Sequence, residues 1–280
     1  MTGSPGKEES SQIGRTAMEP KVRVVKENGV ALVTLNRPEV YNALDEEMLK
    51  LLAEHVADLG LDKTVRAVVI TGDGKAFCSG GDLRSIHAFA GGMGKGVYEL
   101  ATFFHQAVQE IRQMKKPVVA AINGVAAGGG FSLALACDFR VMARSAVLRQ
   151  AYTSSGLSLD GGASFALPRL VGLARAMELV AFDRPISSEQ ALAWGLVTEV
   201  AEDELVPEAA KDMASGLARG SLHAFGVCKA LMTESFHTGL EVQLEKERVG
   251  ISACAAHDDG QEGIQAFLEK RKPIFGQSSL

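Results

Sequence analysis

Aromatic residues supply only 6% of this 280-residue chain, and Trp194 is its single tryptophan. A pocket walled by stacked aromatic rings is not the expectation. Cysteine is also scarce. Cys78, Cys137, Cys228 and Cys254 stand alone, with no C-x-x-C among them. That leaves isolated, reduced thiols rather than a zinc ribbon or a dithiol redox motif. Cys78 borders a glycine turn, so a reactive thiol and a small core residue are both open there, the core reading being preferred. The histidines at 55, 87, 105, 223, 237 and 257 never pair at i, i+4, so no helical zinc site is expected. For His87 and His105 a place near the active region and a plain surface position are both open, the surface reading being preferred. Basic residues are not in excess: Lys and Arg number 29 against 34 Asp and Glu, for a net charge of −5. A nucleic-acid surface is normally basic, so that class is set aside. No apolar run reaches the roughly 18 residues of a membrane span. The nearest, "VVAAINGVAAGGGFSLALAC", is broken by Asn123 and several glycines. The opening "MTGSPGKEESSQIGRTAMEP" has no apolar centre of the signal-peptide kind. It reads as a disordered tail over 1–20, and the lack of an export signal points to the cytoplasm.

What is present is α/β patterning. "KVRVVKENGVALVTLNRP" alternates about Asn28-Gly29, which signals a hairpin. "NALDEEMLKLLAEHVADLGLD" has helical spacing, with Met48, Leu51, Leu52, Val56 and Leu59 on one side. "VRAVVITG" is a continuous apolar run that suits a buried strand, and "GKAFCSGGDL" is the turn leaving it. Residues 84–98 read as a loop or short helix. "YELATFFHQAVQEIRQM" is helical, "KPVVAAINGVA" a strand, "GGGFSLALAC" a helix start and "DFRVMA" a short strand. Beyond Pro185 the chain becomes mostly helical. Strands covered by helices are the expected architecture.

Several phosphate and nucleophile motifs fail on inspection. "GGMGKG" at 91–96 has Phe89 where a P-loop needs its first Gly and Gly96 where it needs Ser or Thr, so it reads as flexible. No G-x-G-x-x-G follows a strand, and no G-x-S-x-G elbow exists. Two glycine turns remain, "KAFCSGGDL" at 75–83 and "VAAGGGFSLALACD" at 125–138. Each leaves a strand. Backbone N–H groups at such turns stabilise an oxyanion when two of them aim at one point. Glycine lets a substrate approach closely, and a helix N-terminus adds a positive dipole end. Tight turns and helix–strand packing explain either turn alone. The pair, each at a strand end, favours the oxyanion reading.

With "VALVTLNRPEVYNAL", "VRAVVITGDGKAFCSGGDL", "KPVVAAINGVAAGGGFSLALACD", "LPRLVG" and "FLEKRKPIF", the chain resembles the crotonase, or enoyl-CoA hydratase/isomerase, superfamily over nearly its whole length after the tail. The resemblance implies a crotonase-like spiral of β-β-α units over 21–215 and a helical C-terminal trimerisation region over 216–280. It also implies an acyl-CoA thioester substrate, a homotrimer or dimer of trimers, and no metal or separate cofactor. Its oxyanion donors map to the N–H groups of Ser79 and Gly129. The CoA edge maps to Val40, Ala76, Ser79, Gly80, Gly81, Asp82 and Leu83, with Asp82 structural or at that edge rather than catalytic. Phe267 and Lys270 map to positions that reach a neighbour's CoA.

The chain departs from a hydratase of this superfamily at two places. The two glutamates that handle water and a proton fall at Ser132 and Tyr152. One acid, Asp160 in "GLSLDGGASFALPRLVG", stands where most hydratases have a small residue, as in the isomerase and dehalogenase branches. Leu159 replaces the usual proline. "LDGG" also suits a plain turn. The leading expectation is an enoyl-CoA isomerase. A thioester carbonyl in an oxyanion hole acidifies its C2 proton; Asp160 removes it to give a dienolate and returns it at C4. Burial among Leu157, Leu159, Phe165 and Leu167 is expected to make Asp160 a stronger base. The alternatives are a hydratase, another reaction of the superfamily such as dehalogenation, and a non-catalytic acyl-CoA binder.

Overall fold

Asn28 and Gly29 both take left-handed backbone, with φ of 50° and 79°. Two such residues reverse a chain in a tight hairpin. They join β1 (Val22–Glu27) to β2 (Val30–Leu35), with Val24 opposite Val33. The computed structural model containing this hairpin describes residues 19–276. The expected tail, 1–20, lies outside those residues but for Glu19 and Pro20.

Helix α1 (Glu46–Leu61) starts where Asp45 accepts a hydrogen bond from the Met48 N–H. Met48, Leu52, Val56 and Leu59 fall on one face and are buried. Then β3 (Ala67–Gly72) and β4 (Ala76–Cys78) lead to α2 (Leu83–His87) and α3 (Met93–Gln113). The pattern repeats with β5 (Val118–Ile122), β6 (Val125–Ala127) and α4 (Gly129–Ala136). It repeats again with β7 (Phe139–Ala143), β8 (Val147–Arg149), α5 (Ala163–Val171) and α6 (Leu173–Phe182). Then come β9 (Ile186–Ser187), α7 (Ser188–Ala193), β10 (Glu199–Ala201) and α8 (Val206–Ala218). The chain closes with α9 (Leu222–Glu234), α10 (Leu240–Ala256) and α11 (Asp258–Leu268).

The strands of the β1–β2 hairpin stay together, and each later strand pair divides its members between two sheets. One sheet has the order β1-β2-β3-β5-β7-β10 and the other β4-β6-β8-β9. This is the expected spiral of β-β-α units with a helical C-terminal part. Every residue of β5 is buried, as is nearly all of β3, which suits parallel strands covered on both faces. α4 is buried on all sides. The expected boundary at 216 falls in the last turn of α8, which lies across β2, β3, β5 and β7.

Residues 84–98 are not a simple loop. α2 occupies the start, and α3 begins at Met93, well before Tyr98. The "GGMGKG" stretch is therefore a helix start: Gly92, at φ 87°, caps α3, and Gly96 leaves room for Phe89. Phe104, Ala107 and Ile111 anchor α3 in the core, and that burial outweighs the poor helix propensity of the glycines. Among the described residues no helix is long and apolar enough to cross a membrane.

Candidate active site

Strands β4 and β6 pair in parallel, with Cys78 beside Ala126, so the two glycine turns leave the sheet side by side. Their backbones touch. A Cβ on Gly80, which has φ 103°, would sit 3.0 Å from Ala127 O and 3.1 Å from Gly129 N. A Cβ on Gly130 would sit only 2.1 Å from Cys78 O. Glycine is required at both for the turns to approach. Cys78 lies beneath them and is fully buried, and that burial pushes its thiol up to about 12. It is a core residue, not a thiolate nucleophile.

The amides differ from the sequence expectation. The Ser79 N–H donates to Tyr41 O at 3.0 Å, so it is already engaged. The Gly81 N–H, two residues on, makes no hydrogen bond among the described residues, although its neighbours Gly80 and Asp82 bracket a bridge to Leu44. The Gly129 N–H opens α4, where the first amides of a helix have no partner within it. Ser79 Oγ meets only Val40 O, at 3.4 Å.

Asp82 is committed to structure. It caps α2 through the N–H groups of Arg84 and Ser85 and binds Arg37 at 3.1 Å. Burial alone would raise its carboxyl, but the Ser85 amide and the Arg37 guanidinium outweigh that and hold it below the usual carboxylate range. Ala76 is buried in β4, whereas Leu83 is exposed. Phe267 and Lys270 lie on the C-terminal part, Phe267 exposed at the end of α11 and Lys270 left-handed just beyond it.

Asp160 sits on the loop before α5. Gly161, with φ 58°, packs so closely on α3 that a Cβ there would lie 2.1 Å from Phe104 Cε1. His105, the next residue of α3, meets Asp160: His105 Nε2 is 2.6 Å from Asp160 Oδ1. An ionised carboxylate only accepts, so Nε2 carries the proton and Nδ1 faces elsewhere. This corrects two expectations. His105 is not merely a surface histidine, and Asp160 is not sunk in an apolar pocket, since its side chain is 34% exposed. The contact spans 55 positions. No local sequence signal marks it.

Ser132 and Tyr152 are buried and meet each other at 2.8 Å. Ser132 Oγ also lies 2.8 Å from Asp160 O. The two positions that a hydratase gives to glutamates are here two hydroxyls beneath the Asp160 loop.

The model of the family described as "Enoyl-CoA hydratase/isomerase" matches residues 25–278. The chain belongs to that family. Among its relatives, a 1,2-epoxyphenylacetyl-CoA isomerase of Escherichia coli (strain K12) is 37% identical over 89% of this chain and 95% of its own length. A 4-chlorobenzoyl coenzyme A dehalogenase-2 of Arthrobacter sp. is 32% identical over 89% of this chain and 91% of its own. The crystal structure of an enoyl-CoA hydratase from Polaromonas sp. JS666 superposes with a TM-score of 0.86 at 37% identity, covering 90% of this chain and 98% of that one. The family thus spans several reactions on this one fold, and CoA thioester chemistry is common to those names. The branch is a matter of side chains.

Proposed function

We propose that the protein moves a double bond in an acyl-CoA thioester, with Asp160 as acid/base. The observation that carries this is the 2.6 Å pair of Asp160 with His105, in a site whose two hydratase positions hold Ser132 and Tyr152. The free amides of Gly81 and Gly129 receive the thioester oxygen, Gly81 taking the place expected for Ser79. Two such donors stabilise charge that develops on that oxygen as C2 loses a proton. Asp160 takes that proton and delivers it to C4. The His105 N–H holds the carboxylate in one orientation. The stretch Ser79 to Leu83, with Ala76 and Val40, forms the CoA edge.

A second reading uses water. His105 Nδ1, turned away from Asp160, is available to take a proton from a water molecule, which supports hydration or hydrolytic replacement of a leaving group. The hydratase and dehalogenase names among the relatives favour this second reading over double-bond migration; the missing glutamates favour the first.

An ultraviolet assay separates them, because a conjugated enoyl thioester absorbs where an unconjugated one does not. Rising absorbance from a 3-enoyl-CoA, abolished in Asp160→Asn, is the expected result. Falling absorbance from a 2-enoyl-CoA without isomerisation, or halide release from a haloaroyl-CoA, establishes the second reading instead. Saturable binding with no turnover of any of these leaves a non-catalytic binder.

The assembly reading is also ours. Leu240, Val242, Leu244, Val249 and Ile251 are exposed along α10, and we propose that this region joins copies into trimers or pairs of trimers. Phe267 and Lys270 then face a neighbour's CoA.

A further inference from the structure

We infer that Ser132 and Tyr152 are positioning residues that hold the Asp160 loop by its backbone. The inference rests on the reading of Asp160 as the acid/base and explains how that group is kept in place.

The loop has reason to move. Gly156, Gly161 and Gly162 take φ of 71°, 58° and 77°, so permissive residues stand on both sides of Asp160. The Asp160 side chain, one-third exposed, is not fixed by packing. Its carbonyl, by contrast, is held. Asp160 O accepts from the Ala163 N–H at 3.1 Å and faces Ser132 Oγ at 2.8 Å, with Tyr152 OH at 3.5 Å.

Proton accounting gives the network a direction. A carbonyl oxygen only accepts, so Ser132 donates its single proton to Asp160 O, the nearer of its two carbonyl partners, Gly128 O lying at 3.4 Å. The 2.8 Å contact between Ser132 Oγ and Tyr152 OH is then filled by the Tyr152 proton. The order is Tyr152 to Ser132 to Asp160 O. Burial pushes the Tyr152 phenol up, against the pull of its Ser132 bond, so it stays a donor at any working pH. Ionised glutamates at these positions would present acceptors to an acceptor. The two hydroxyls and the acid at 160 therefore belong together: loss of the hydratase pair is what lets the loop be held from below.

The test uses the full-length protein labelled with 15N-histidine, its His105 Nε2 resonance assigned through His105→Gln. That resonance reports the hydrogen bond to Asp160 and moves in Asp160→Asn. Ser132→Ala is expected to shift it toward the Asp160→Asn position and to lower kcat on 3-enoyl-CoA about tenfold with KM within about twofold, the loss of one hydrogen bond. Tyr152→Phe, one step further from the carbonyl, should act in the same direction but less. Ser132→Thr keeps the hydroxyl and should restore both readouts. Folded Ser132→Ala and Tyr152→Phe proteins with the wild-type resonance overturn the inference, whatever happens to activity. If the resonance moves as expected while Asp160→Asn remains fully active, the positioning role stands and the acid/base reading falls. If Ser132→Ala does not fold, Tyr152→Phe and Ser132→Thr decide the matter by the same resonance.

Discussion

His105 is the residue that the structure adds to the candidate site. It lies half-exposed on α3, and nothing in its immediate sequence separates it from the other five histidines. Only the close packing of Gly161 on Phe104 brings the acid to it. Asp160 was legible as a candidate, because an acid replaces a small residue inside a recognisable motif. The choice of amide was not. Ser79 and Gly81 differ only in which of them Tyr41 O engages, a contact formed across 38 positions. If Asp160 is the acid/base, Asp160→Asn lowers turnover by about 100-fold or more, and His105→Gln by a smaller factor, about tenfold. Steady-state rates on a 3-enoyl-CoA check both.

Asp82 carries a pH prediction at the same scale. Its carboxyl is held below the usual range in the folded chain, so between the folded and unfolded values the unfolded chain binds the extra proton. The stabilisation is present above about pH 4, the ordinary aspartate range, and is lost as pH falls through the folded value. Asp82→Ala should therefore cost about 1 kcal/mol at pH 7, the usual size of a lost cap. The gap to wild type should narrow as urea melts are repeated at lower pH.

At the scale of elements, α4 decides whether the glycine turns can meet. It is buried on all sides and leaves Gly130 against the Cys78 carbonyl, backbone on backbone. A methyl group there has no flexible neighbour to displace. Gly130→Ala is expected to destabilise by about 1–3 kcal/mol, as overpacking of a filled core does, and to weaken acyl-CoA binding as β4 is pushed aside. Denaturation midpoints and a binding isotherm test the two parts. Most elements were legible because their signals are local: the Asn28-Gly29 turn, the apolar side of α1, the apolar run of β3. The start of α3 was not. Four glycines between 91 and 96 argue locally for a loop, and only the burial of Phe104, Ala107 and Ile111 overrides them. The helices α5 and α6 also went unread behind the "GLSLDGG" turn.

For the whole molecule, the exposed apolar surface of α10, divided between two sides of the helix, is a feature the single chain does not account for. It borders a cavity of about 450 Å³ lined by Val227, Leu231 and Val249. If copies join there, light scattering should report three chains or six. The pair Val249→Glu and Ile251→Glu should shift that mass toward one chain without unfolding it, since both side chains are exposed here. The α/β class followed from the alternation of strand, turn and helix, and the spiral from the resemblance to the superfamily; the division of strands between two sheets came only from long-range pairing.

The strand order of the larger sheet also bears on how the protein is made. Reading from β1, each strand is laid beside one already formed, and the order along the sheet is the order along the chain. A nascent chain leaving the ribosome can therefore dock each turn in sequence without waiting for an earlier gap to be filled. The exception is α8, which arrives after every strand and covers β2, β3, β5 and β7. Until Ala218 has emerged, that face of the sheet stays open to water and to other chains. The interval from the emergence of β7 to that of Ala218 is the one in which this fold is most exposed to aggregation.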